Sequence, residues 1–108
     1  MPVVYGTPLQ TFTSEDVTVD DTSGGVRLTH ATYFPASQSP AKAATLLVET
    51  ADIRWTKANG ASLTSTTGGN LANVGTVIFL DNLNDIINFR AIRLGDTSGK
   101  LHAEYHRN

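Results

Sequence analysis

A chain of 108 residues, 40% apolar and 17% charged, is sized for one domain around one core, with a surface finished by Thr, Ser, Asn and Gly more than by charge. A formal net charge of −2 with scattered Lys and Arg argues against nucleic acid as a partner, because that affinity rests on clustered cations neutralising phosphates. The lack of Cys excludes disulfides, thiolate catalysis and Cys-ligated zinc, and no apolar run approaches the ~20 residues of a membrane span.

Residues 1–11 read as an extended N-terminal arm. Met1 to Tyr5 carries no positive charge and no long apolar run, so it does not read as a signal peptide. Pro2, Gly6 and Pro8 interrupt regular pairing. Val3, Val4, Tyr5 and Leu9 are the candidate partner-binding residues, being apolar enough to dock on something. Phe12–Val19 reads as a strand. Asp20 to Gly25 is a turn signal, since Asp, Ser and Gly supply side-chain caps and positive φ. Val26–Phe34 reads as a second strand, which predicts a hairpin over 15–34.

Ala43–Glu49 reads as a buried strand. Leu46 and Val48 fall on even positions, whereas Ile53 and Trp55 fall on odd ones. A one-residue slip flips every side chain to the other face, so Glu49–Asp52 must hold a bulge or a corner. Ile53–Thr56 follows as a short strand. Lys57–Asn70 is polar, with Asn59-Gly60 favouring a tight turn. Val74–Leu80 is apolar on both parities and predicts a central strand. Asp81–Ile87 predicts one helical turn with Asp81 as its N-cap. Phe89–Leu94 is another strand and Gly95–Gly99 a turn. Leu101, Ala103 and Tyr105 then alternate with Lys100, His102, Glu104 and His106, the pattern of a half-exposed strand. The sum is an all-β fold, residues 12–108 forming an antiparallel, jelly-roll-like β-sandwich or small barrel of about seven or eight short strands.

Candidate chemistry is thin. Gly95 to Lys100 resembles a phosphate loop but has three residues between its glycines, and Leu101 follows the Lys. It reads as a hairpin turn. His102 and His106 would share a metal on a helix; on a strand they stand ~13 Å apart, too far for one ion. His30 reads as a hydrogen-bonded core or interface residue. Asp20-Asp21 and Asp81/Asp85 lack the alternation and closing Glu of an EF-hand and read as turns and caps. No G-x-S-x-G elbow is present. Trp55 reads as a core anchor, with stacking on sugar as its alternative. The expectation is no catalytic residue, no cofactor and no metal.

One set of segments carries a family likeness: Leu47–Gly60, then Gly68-Gly69, then Ile87–Arg93, and the closing Leu101–Tyr105. Across residues 43–106 this resembles the small β-sandwich accessory proteins of tailed bacteriophage virions. The resemblance implies a non-enzymatic structural protein on the capsid surface, made in the host cytoplasm. It would be a head decoration or cement protein that binds the major capsid protein and copies of itself, often as a trimer, with no nucleic-acid or membrane partner. A tail or receptor-binding component is its variant. Ile53-Arg54-Trp55-Thr56 also resembles carbohydrate-binding sandwich modules appended to glycosidases, although Asn59 stands where those carry Asp.

Overall fold

The structure, a computed structural model, describes residues 9–60 and 62–108. The arm residues Val3, Val4 and Tyr5 lie outside the described residues. Eight strands and two short helices run in the order β1 (Gln10–Val19), β2 (Val26–Arg27), α1 (His30–Tyr33), β3 (Ala43–Glu49), β4 (Ile53–Thr56), β5 (Asn70–Ala72), β6 (Val77–Leu80), α2 (Leu83–Asn88), β7 (Arg90–Arg93) and β8 (Gly99–Arg107). β1 starts at Gln10, so the last two residues of the segment read as an arm belong to a strand.

Two antiparallel four-stranded sheets form, ordered β1-β8-β3-β6 and β2-β7-β4-β5. That order is jelly-roll connectivity, a sandwich of two interlocked Greek keys. Alternation places the core. Leu101, Ala103 and Tyr105 of β8 and Ala44, Leu46 and Val48 of β3 are at most 2% exposed and face the second sheet. They meet Ile53, Phe89 and Ala91, which are fully buried. Each large side chain sealed here contributes roughly 1.5–3 kcal/mol. Trp55 packs against this core, stacked on Phe89 at 5.9 Å between centroids.

The parity break is a corner between the sheets. Thr50 adopts φ 75° and the Ala51 amide donates to the Glu49 carbonyl at 2.9 Å, a γ-turn that ends β3 in one sheet and aims β4 into the other.

Four expectations are corrected. The 15–34 hairpin does not form, because β1 pairs with β8 and β2 with β7 in the opposite sheet. Shared parity says which face a residue takes, not which sheet. The Asp20 carboxylate accepts from the Thr22 amide at 2.9 Å and turns the chain across the sandwich. β2 then stops after two residues, where the Thr29 amide donates to Glu15 and α1 begins.

The 95–99 turn likewise joins β7 to β8 across the sandwich and is no hairpin. Residues 74–80 yield only a four-residue edge strand, with Val77 43% and Phe79 65% exposed. Its outward parity is apolar but unburied, which a run apolar on both parities cannot disclose. The N-cap of α2 is Asn82, one residue after Asp81, with its side-chain oxygen accepting from the Asp85 amide at 2.9 Å.

Candidate functional site

Three surfaces are candidates, each set by the sheet register. The first is the outer face of the β1-β8-β3-β6 sheet. Outward residues of β8 stand between partners on β1 and β3: His102 between Asp16 and Leu47, Glu104 between Ser14 and Thr45, His106 between Thr11 and Ala43. His102 Nδ1 lies 2.8 Å from Asp16, and Lys100 Nζ lies 3.5 Å from the same carboxylate. The hydrogen bond to Asp16 raises the His102 pKa above its ordinary 6.5, and in return lowers that of Asp16 below 3.8. His102 Nε2 faces the Glu104 carboxylate at 3.6 Å. His106 sits between the hydroxyls of Thr11 and Thr45, both at 2.9 Å. The two imidazoles on this strand therefore serve separate contacts. Among the described residues no three His, Cys, Asp or Glu groups gather as a metal site.

The second surface is an open groove of about 400 Å³ between the first half of β1 and α1, lined by Phe12, Thr13, Ser14, Thr32, Gln38 and Arg107, among others. The Arg107 guanidinium lies 4.0 Å above the Phe12 ring and donates to the Ser39 carbonyl at 2.8 Å and to Gln38 at 3.2 Å. Its charge is thus spent on holding the 35–39 loop to the end of the sheet. Beside it, His30 is exposed and stacks on Phe34 at 5.3 Å. This surface aromatic pair corrects the core half of the expectation for His30 and leaves it on the surface.

The third surface is one lateral side of the sandwich. β5 and β6 are the outermost strands of their sheets on that side, joined by residues 73–76. Leu71, Val74, Val77 and Phe79 along them are 43–65% exposed. Leu47, half-buried, pairs directly with Val77 on the outer face. Residues 70–80 contain no charge and no proline, the devices by which edge strands are normally blunted. The opposite edge, β1, carries Thr11, Ser14, Asp16 and Thr18 outward.

Of the four expected partner-binding residues, only Leu9 is described; it is 49% exposed just before β1. Two of the remaining acidic candidates make ion pairs. Asp85 pairs with Lys57 at 3.3 Å, and Asp21 with Arg93 at 3.4 Å. The β5–β6 side was missed in the sequence. Compared with known proteins, the chain matches no family model, no curated protein and no solved structure.

Proposed function

We propose that this chain is a non-enzymatic structural protein of a bacteriophage virion, a head decoration or cement protein that binds the major capsid protein and stabilises the shell. The carrying observation is the β5–β6 side. A well-sealed sandwich leaves Leu71, Val74, Val77 and Phe79 exposed along one lateral side, in a segment, 70–80, that carries no charge of its own, and exposed apolar patches of that kind mark protein contacts. The likeness of segments 47–105 to virion accessory proteins supplies the class of partner, and the arm around Val3, Val4, Tyr5 and Leu9 a second contact. Co-sedimentation with assembled shells tests the reading. Saturable binding that protects shells from heat supports it; no association with shells rejects it, and binding to purified tails moves the protein there.

A carbohydrate-binding reading is favoured by one observation, the open polar groove lined by Thr13, Ser14, Thr32 and Gln38. Trp55 is spent on Phe89, so the groove would be the glycan site. Glycan-array binding that is lost on Gln38→Ala with the fold intact would establish it.

A further inference from the structure

We propose that the free edge of β6 receives residues 3–5 of a second copy of this chain as an added strand, so that neighbouring copies are joined arm to edge. This deepens the assembly reading above and rests on it for the biological setting, though not for the contact itself.

The geometry begins with the ladder between β3 and β6. The Val48 amide donates to the Thr76 carbonyl at 3.0 Å. Along the same register Leu46 pairs with Ile78 and Ala44 with Leu80. Antiparallel pairs alternate between hydrogen-bonded and non-hydrogen-bonded, so the intervening Val77 and Phe79 turn their N–H and C=O groups away from β3. No described strand lies on that side. The two residues that offer backbone groups outward are therefore the two whose apolar side chains are exposed.

The arm offers a match of the same length. Pro2 and Pro8 have no N–H to give, and Gly6 is a poor strand residue. Between them Val3, Val4 and Tyr5 form a three-residue apolar run. Val3 set opposite Phe79 and Tyr5 opposite Val77, antiparallel, exchange both hydrogen bonds at each pair. The same register brings the Val3 and Tyr5 side chains beside Phe79, Val77 and Leu47 on the outer face, because opposed residues share a face.

Reach assigns the donor to another copy. The arm leaves the sheet at β1, and a strand added outside β6 lies four strand spacings away, roughly 19 Å. From Leu9 to Tyr5 is four residues, at most ~14 Å fully extended. A chain cannot reach its own β6 edge, and a neighbour's is open. One arm and one edge per copy make a heterologous contact, which closes as a ring or runs on as a filament.

The absence of Cys makes the test clean. Val3→Cys and Phe79→Cys chains are prepared separately, mixed and oxidised. Light scattering is run on the wild type, on a deletion of residues 2–8 and on Phe79→Lys. The expected results are an oligomeric wild type, monomeric deletion and Phe79→Lys chains with unchanged far-ultraviolet dichroism, and a disulfide-linked pair formed mainly between the two different Cys variants. A wild type that is monomeric at every concentration overturns the inference. So does an oligomer that survives the deletion but is lost in Phe79→Lys, which would mean two β6 edges pairing with each other. Shell binding by a monomer removes this contact and keeps the virion reading; an arm-linked oligomer that ignores shells does the reverse.

Discussion

Tyr105→Phe isolates one interaction that ties the two ends of the sandwich to its core. The Tyr105 ring is fully buried, and its hydroxyl donates to the Glu15 carboxylate at 2.5 Å. The same carboxylate accepts from the Thr29 amide at 3.2 Å and so anchors the start of α1. Phenylalanine keeps the ring packing and removes only the donor. A hydrogen bond to a charged acceptor contributes about 1.5–3 kcal/mol. For a domain of this size that corresponds to a fall in Tm of roughly 6–13 °C.

The pH dependence gives an independent reading. Burial, then the bond to Glu15, pushes the Tyr105 pKa far above its ordinary 10.0. The unfolded chain ionises this tyrosine near pH 10 while the folded chain does not. Its contribution is therefore complete below pH 10 and is lost as pH rises beyond it, at about 1.4 kcal/mol per pH unit. Urea titrations of both chains between pH 7 and 11 measure the difference. The wild-type advantage should hold to pH 10 and shrink above it. An advantage below ~0.5 kcal/mol at pH 7, or one that runs parallel through pH 11, refutes the reasoning.

Thr50→Gly should stabilise the fold by about 1 kcal/mol, since a β-branched residue at φ 75° on the surface gives up strain when the Cβ is removed; a rise in the urea midpoint at constant m is the measure. Gly69→Ala should destabilise by about 2 kcal/mol or more, because a Cβ there clashes with the Trp55 carbonyl and φ is 66°; thermal unfolding reads it. His102 should titrate above 6.5 by NMR, and Asp16→Asn should lower that midpoint. Its small contribution to stability is complete below pH 6.5 and fades as pH rises through the raised value, whereas that of Asp16 is complete above pH 3.8 and fades on acidification.

The strands and their faces were legible because alternation is local. β8 reads directly from Leu101-Ala103-Tyr105, and the corner at Thr50 from the slip between Val48 and Ile53. Pairing was not legible. Val17 and Leu101 meet across the sheet with 83 residues between them, and nothing in either segment names the other. The same limit mis-assigned residues 26–34, where Glu15 holding the Thr29 amide decides the end of β2. At the candidate site, Val77 and Phe79 fell in a run read as a central strand, because nothing local says that the sheet ends at β6. His102 was visible as an outward residue, but its raised pKa comes from Asp16, 86 residues away in sequence.

The pairing of Gln10 with Arg107 also has a mechanical consequence. The first and last strands lie side by side and antiparallel, so the chain enters β1 and leaves β8 at the same end of the sheet. Load applied through residues 10 and 107 would peel β1 from β8 one ladder bond at a time, from Gln10 towards Val19, without shearing the bonds together. Load applied through one end and the lateral face has no such easy seam.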